Sequence, residues 1–455
     1  MKDSSECSWA NLKSVYSFTS TVDSIQALES RYDVVDETST FRALVNTSVS
    51  SKSPFHRWVR YREGYAGDLV KEVLRRYPID SKRYFVMDPM VGSGSTLVAA
   101  SQLGLDAVGS DVSGYAVLSS RVKTAKYLKT DIQEIEGFLK TIPKLGEVLA
   151  EVENHALNKY FNTENLAALL CLEDVISSTK LSARVRSLLK LALLSILEDC
   201  SNRKKDGNGL ATRPTEVSDV RQAFLDKVGV LVEDLREITP RARDFPLIEA
   251  HDETALNLAS VARGFEVVSG KKLGCIVFSP PYANSFDYFE SYKLELIFGG
   301  YVKADEMNKA RTRLIRSYRL NRAPELDREE ELVRMLCKEI ERRIPEKEKA
   351  TGVRDGRTRL VPNMLRGYFD DMRKVIEEGY EALAVGGAMH IVVDQSSYLG
   401  VPVPTDTILA KIAEDVGFKV KRVTVCRTAN TSGQQLKVYP YLRLLLRESI
   451  VTLIK

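Results

Sequence analysis

Four consecutive residues, Ser279-Pro280-Pro281-Tyr282, set a hydroxyl and a phenol on either side of two residues that have no N–H, directly after the apolar run Cys275-Ile276-Val277-Phe278. A continuous rather than alternating apolar run reads as a strand buried on both faces. The prolines forbid helix and ladder beyond it, because each lacks a donor and has a fixed φ. Ser279 and Tyr282 are therefore expected in a stiff loop at the carboxyl end of a parallel strand. In open α/β sheets that edge is where ligands bind. Alone, the tetrapeptide is equally compatible with a rigid strand stop; a second group of residues upstream weighs for chemistry.

That group is Tyr84-Phe85-Val86-Met87-Asp88-Pro89-Met90-Val91-Gly92-Ser93-Gly94-Ser95-Thr96, followed by the apolar stretch Leu97 to Leu103. A short strand here runs into a glycine turn that opens a helix. Gly92 and Gly94 let backbone approach a ligand closely, and the helix behind them offers unpaired N–H groups. The turn is neither a P-loop, since no G-K-[ST] follows, nor a full G-x-G-x-x-G. A second strand, Leu105 to Asp111, ends in an acid placed to accept hydrogen bonds from two ribose hydroxyls. Strand, G-x-G, helix, strand and acid in this order point to an adenosine-containing cofactor.

The elements that must position these groups fit an α/β protein. Further strands are expected at Leu247–Asp252, Leu273–Phe278, Ala388–Asp394, Lys419–Cys426 and Arg447–Ile454. Amphipathic helices are expected at Asp68–Tyr77 with Asp68 as N-cap, from about Asn363 to Val385, and at Thr405–Val416. The chain of 455 residues is 44% hydrophobic and 28% charged, with a net charge of +4, so a nucleic-acid partner must be met by local patches. Six scattered cysteines with no C-x-x-C pair and four dispersed histidines predict neither a disulfide framework nor a metal site. The first residues lack an apolar signal core and no run reaches membrane-spanning length, so a cytoplasmic location without membrane contact is expected.

Composition divides the chain further. Residues 1–54, rich in Ser and Thr, read as a partly ordered N-terminal extension. A catalytic core is expected from 55–128, 244–302 and 364–455. Between its parts lie a helical insertion at 129–243 and a charged insertion at 303–363. In the first, Ser182 is expected to cap a buried helix, and Ser201 to Gly209 to form a basic loop whose Arg203 and Lys204 suit phosphate contact. In the second, Arg311, Arg313, Arg316 and Arg319 fall in a stretch without an acid and are candidate contacts to DNA phosphates. Mixed Glu/Arg sequence after Glu325 reads as a solvated helix face.

Asp88-Pro89-Met90-Val91-Gly92-Ser93-Gly94-Ser95 resembles the cofactor motif of the amino-group DNA methyltransferases, usually D-P-F-x-G-S-G-T, and Ser279-Pro280-Pro281-Tyr282 resembles their catalytic motif. The Ser form is typical of the cytosine-N4 branch, and Asp or Asn at its place of the adenine-N6 branch. Residues 55–75, with Tyr65 at the aromatic position, are similar to the additional cofactor-side motif, and the segment from Gly386 to Ile450 to the last strands. Met90, Ser95 and the long helical insertion depart from the pattern.

The resemblance implies a Rossmann-like, doubly wound, mostly parallel sheet with an antiparallel last strand, and a site-specific transfer from S-adenosylmethionine to the N4 amine of a flipped-out cytosine in double-stranded DNA. It assigns Ser279, Pro280, Pro281 and Tyr282 to catalysis. Asp88 with Gly92 and Gly94 falls to the methionine end of the cofactor, Asp111 to the ribose and Asp252 to the adenine side, and Tyr65, Pro89, Ser93, Ser95 and Thr96 are counted with the cofactor-binding residues. A restriction-modification or related defence system, with a cognate endonuclease as partner, is the implied setting. Transfer to adenine N6 in DNA or guanine N2 in RNA, and a silent DNA-binding subunit, are the alternatives.

Overall fold

The apolar runs become the centre of an eight-stranded sheet, in a computed structural model that describes residues 19–46, 52–61, 64–142, 156–206, 209–212, 218–238, 245–318, 322–429 and 433–455. Its strands are β1 (Val34–Asp36), β2 (Tyr84–Asp88), β3 (Ala107–Asp111), β6 (Ile248–Asp252), β7 (Lys272–Phe278), β8 (Ala388–Asp394), β11 (Lys419–Thr428) and β12 (Arg447–Ile454). Two hairpins stand outside it: β4–β5 (Arg203–Asp206 and Gly209–Thr212) and β9–β10 (Ser396–Tyr398 and Val401–Val403).

The strand order is β1-β11-β12-β8-β7-β2-β3-β6. Every neighbouring pair is parallel except the two that β12 makes with β8 and β11. This is a doubly wound sheet with one reversed strand, as the resemblance implies. From β2 the chain moves outward through β3 to β6 and then returns to the other side of β2 as β7. The reversal between β2 and β7 opens the crevice in which such sheets bind ligands.

Strands with no polar alternation can serve two cores at once. In β2 the side chains of Phe85 and Met87 enter one cluster and Val86 the other. In β7, Ile276 and Phe278 oppose Cys275 and Val277 in the same way, and in β8, Ile391 and Val393 oppose Val392. The first face is covered by α1 (Thr19–Glu29), and the second by α2 (Gly67–Arg76) and α3 (Ser95–Gln102), with α4 (Gly114–Thr124) at its margin. A third core belongs to the helical insertion: α5 (Lys129–Thr141), α6 (Thr163–Ser178), α7 (Ala183–Ser195) and α8 (Val220–Ile238). Ser182 caps α7 as expected, its side chain accepting from the Val185 N–H. The remaining helices, α9 (Leu258–Ser269), α10 (Glu331–Thr351), α11 (Val361–Ala382) and α12 (Thr405–Val416), return to the first face.

Four expectations are corrected. Residues 19–46 are no loose extension: Val22, Ile25, Phe41 and Val45 are buried, and β1 adds an edge strand beside β11. The charged segment after Glu325 is a helix with the expected exposed face, but its other face is core: α10 buries Val333, Leu336, Cys337, Ile340 and Ile344 against α11. Most of its charges lie on the outer face, with Glu339 and Arg343 buried, and the mixed Glu/Arg composition hid the apolar stripe. The basic loop at 201–209 is mostly the hairpin β4–β5. Asp68 lies in the first turn of α2 while Ala66 holds the cap position, so it acts through the helix dipole and its pair with Lys71 (2.9 Å) rather than as a cap. No helix among the described residues is long and apolar enough to cross a membrane.

Val91 of the glycine turn lies across β3 at Gly109. A Cβ there would stand 2.1 Å from Val91 Cγ1 and 2.9 Å from the Asp88 carbonyl oxygen. Gly109→Ala should therefore cost about 1–3 kcal/mol in denaturant unfolding, because the turn must move to admit a methyl group.

Candidate active site

Parallel pairing of β2 with β7, with Met87 opposite Ile276, delivers the two motifs side by side at one sheet edge. They share a cavity of about 340 Å³. From the cofactor motif it is lined by Asp88, Pro89, Gly92, Ser93 and Ser95, with Asp111 from β3 and Tyr65 from ahead of α2. From the other motif it is lined by Ser279, Pro281 and Tyr282.

The glycine turn is held from beneath by a buried chain of hydroxyls. The Tyr65 hydroxyl donates to Thr96 Oγ1 (2.6 Å), which donates to Asp88 Oδ2 (2.5 Å), while Asp88 Oδ1 accepts from the Met90 N–H (3.0 Å). Lys123 of α4, almost wholly buried, donates to the Ser93 carbonyl (2.8 Å), and burial lowers its pKa to about 7. Asp111 accepts from the N–H groups of Gly92 (3.0 Å) and Ser113 (2.9 Å), tying β3 to the turn. Each Asp111 oxygen keeps acceptor capacity for a ligand, since a carboxylate oxygen has two lone pairs.

Burial pushes both carboxyls up, Asp88 to about 7 and Asp111 to about 6, against the hydrogen bonds that favour their ionised forms. Asp252 stands opposite Asp111 in the β3–β6 register and adds to the upward shift of Asp111. A pair of desolvated carboxyls facing one cavity is a site suited to a cation.

The Ser279–Tyr282 loop is equally constrained. Ser279 Oγ donates to the Tyr282 hydroxyl (3.4 Å), which donates to Glu448 Oε1 (2.7 Å). Glu448, 2% exposed on β12, also accepts from Arg427 Nε (2.5 Å). Tyr398 of the β9–β10 hairpin donates to the Ala283 carbonyl (2.8 Å). Two residues on, Ser285 has φ +64°, a left-handed conformation that is uncommon for a residue with a side chain. Sequence reasoning missed Glu448 and Arg427, although an acid inside the apolar strand at 447–454 was a signal. It also missed the pair Tyr61 and Tyr292, which stack at 4.6 Å along the cavity wall.

Several expected ligand contacts lie elsewhere. Gly94 stands behind the turn at φ +89°, where a Cβ would meet Ser120 Oγ at 2.8 Å, so its missing side chain serves packing against α4. Thr96 is wholly buried and serves Asp88. Pro280 is buried and does not line the cavity. Asp252 also lies off the cavity wall and is bound by Arg313 Nη2 at 2.7 Å.

The arginine stretch is corrected in the same way. Arg311 is held by Asp287 (2.9 Å) and Glu290, and Arg316 by Asp370 (2.8 Å) and Asp371 (2.6 Å) of α11. These guanidiniums fasten a strap whose Arg313, Leu314 and Ile315 line the cavity. Arg316 is committed to Asp370 and Asp371 because those two carboxylates are buried and cannot be left unpaired, whereas Asp287 and Glu290 are only part-buried. Arg319 lies outside the described residues. On β4, Lys204 is exposed and Arg203 Nη1 donates to Thr212 Oγ1 (2.7 Å), while Lys205 turns inward to Glu295 (2.5 Å). The β4–β5 hairpin packs against the short helix Tyr288–Ser291, whose Tyr288 and Phe289 line the cavity.

No protein-family model matches the chain. It is 26% identical over 475 residues to Type II methyltransferase M.BsoBI of Geobacillus stearothermophilus, covering 93% of this chain and 90% of that protein. It is 26% identical over 433 residues to Type II methyltransferase M.AvaI of Anabaena variabilis, covering 87% and 85%. An 80-residue stretch, 16% of this chain and 14% of the other, is 32% identical to Type II methyltransferase M.MjaII of Methanocaldococcus jannaschii. Among solved structures, rRNA methyltransferase aviRa of Streptomyces viridochromogenes aligns with 86% of this chain and 85% of its own at 8% identity, but a TM-score of 0.28 carries no argument.

The raised Asp88 pKa fixes the sign of a stability effect. Between the ordinary carboxylate value and about 7 the folded chain binds the proton more tightly than the unfolded one, so this carboxyl's contribution to stability falls as pH rises. Asp88→Asn should accordingly gain on the wild type between about pH 4 and about pH 7 in denaturant unfolding. An unchanging difference between the two proteins would show that Asp88 is ionised throughout.

Proposed function

We propose that this chain, a relative of the Type II methyltransferases over nearly its whole length, methylates duplex DNA at the N4 amine of cytosine with S-adenosylmethionine as donor. The observation that carries the reading is the meeting of the Asp88–Ser93 turn and the Ser279–Tyr282 loop in one cavity at the β2/β7 reversal. The curated relatives support methyl transfer; the Ser at position 279 supports cytosine. The Type II names of those relatives support a setting beside a restriction endonuclease.

The donor set fits the cofactor. S-adenosylmethionine brings a cationic ammonium and sulfonium at one end and two ribose hydroxyls at the other, and it supplies an electrophilic methyl group. Asp88 and the turn at Gly92 and Ser93 would hold the cationic end, and Asp111 the ribose. Arg313, paired with Asp252 beside Asp111, and the apolar Leu314 and Ile315 would close the adenine end. The arginine stretch thereby moves from the DNA to the cofactor side of the site. On the DNA side we assign Arg203 and Lys204, on the hairpin that backs the cavity mouth.

An exocyclic amine is a poor nucleophile, because its lone pair is delocalised into the ring. Acceptors that bind its N–H groups favour a pyramidal nitrogen and turn its lone pair towards the methyl group. Ser279 Oγ is the acceptor that the cavity presents, in a loop that the prolines and Tyr398 hold rigid. Tyr282 presents an aromatic wall for the base, its hydroxyl fixed on Glu448.

Incubation with labelled cofactor and duplex DNA, followed by mass spectrometry of the nucleosides, should yield N4-methylcytosine. N6-methyladenine alone would move the target to adenine, N2-methylguanosine from RNA alone would move it to RNA, and no transfer to any nucleic acid would leave a silent subunit. By calorimetry, Asp111→Ala should weaken cofactor binding about tenfold to a hundredfold, the loss that removing charged acceptors from hydroxyl donors causes. Unchanged affinity would remove Asp111 from the ribose site.

A further inference from the structure

A hydroxyl can donate or accept, and which it does towards a ligand depends on where its own hydrogen is held. In this site the hydrogens of two hydroxyls are held in series. Ser279 donates to Tyr282, and Tyr282 donates to Glu448, 166 residues away in sequence. The series has a direction only because its last member is acceptor-only. An ionised carboxylate has no proton to give back, so Tyr282 must point its hydrogen at Glu448, and its oxygen is then open to the Ser279 hydrogen.

The other Glu448 oxygen, Oε2, accepts from Arg427 Nε at 2.5 Å, so both oxygens act as acceptors in the structure. Across the β8–β12 register stands Asp394, a second carboxyl with one oxygen that is buried and has no partner. Burial, and then the charge of Glu448, holds Asp394 well above the usual carboxylate range.

We propose that Glu448 is a positioning residue for methyl transfer, setting the polarity of the Ser279–Tyr282–Glu448 chain so that Ser279 meets the target base as an acceptor and selects an amine over a ring carbonyl. This deepens the proposed function and rests on Ser279 being the residue that meets the amine. An N–H of the base can donate to the Ser279 lone pairs. A carbonyl oxygen in the same place would face those lone pairs with no hydrogen between, which leaves two acceptors opposed and desolvated. The serine alone, with a rotating hydroxyl, could not make that distinction.

A carboxylate with this role and one that merely packs respond oppositely to two substitutions. Glu448→Asp shortens the side chain but keeps an acceptor-only end; Glu448→Gln keeps the size but brings an amide that can donate to Tyr282 and reverse the chain. Single-turnover transfer to duplex DNA should fall about tenfold to a hundredfold in the Gln variant and distinctly less in the Asp variant. Binding of S-adenosylhomocysteine, read by calorimetry, should remain at the wild-type level in both. Transfer by Glu448→Gln at a rate equal to or above that of Glu448→Asp, with cofactor binding intact, would overturn the proposal. Should the Gln variant lose cofactor binding, Tyr282→Phe decides: it breaks the chain without touching the Glu448–Arg427 pair, and an unchanged transfer rate would overturn the proposal equally. If the wild-type protein transfers to no nucleic acid, the function reading itself falls and this role with it.

Discussion

The structure depends on the pairing of β2 with β7. Both strands are apolar on both faces, so neither can lie at a surface, and parallel pairing puts their carboxyl ends at one edge. Because the chain reverses its winding between them, a cavity opens above that edge. Asp88 and Ser279, at the ends of these strands, therefore open into the same cavity. The remaining elements of the site act by holding these two strand ends and their turns in place.

They do so largely with buried charge. Asp88 carries the turn through Thr96 and Met90, and Asp111 carries it through Gly92. Asp234 binds the Trp58 indole N–H (2.7 Å), the Phe55 N–H (3.1 Å) and the Arg57 guanidinium, fastening the segment that leads to Tyr61 and Tyr65 onto the helical insertion. Asp406 takes Gln395, Arg447 and Ser449 (2.7, 2.8 and 2.9 Å) beneath the loop after β8. Hydrogen bonds to buried carboxylates are directional and costly to break. A site built on them keeps its geometry without relying on side-chain packing alone.

The same rule explains why Arg316 is bound inside the protein. Asp370 and Asp371 lie on the buried side of α11, and neither can remain there without a cation. Arg316 answers both, Arg311 answers Asp287, and Arg313 answers Asp252 on β6. A run of cations without a local acid looks like a phosphate-binding face. In the folded chain the acids simply come from elsewhere.

The motifs were legible because their chemistry is local. An apolar run stopped by two prolines, and a strand broken by G-x-G before a helix, each specify a loop at a strand end from adjacent residues alone. The strand and helix spans of the core followed from periodicity, and with them the doubly wound sheet. The partners of the functional groups were not legible, because they are joined across the sheet at separations that no spacing rule encodes: Tyr282 with Glu448, Arg316 with Asp371, Trp58 with Asp234. Gly94 and Thr96 belong to this second class, since adjacency to the motif suggested a ligand while packing and burial gave them to the scaffold. By itself the sequence determined which residues stand at the edge of the sheet. Only the tertiary structure decided which of them face the cavity, because that depends on where the buried carboxylates find their donors.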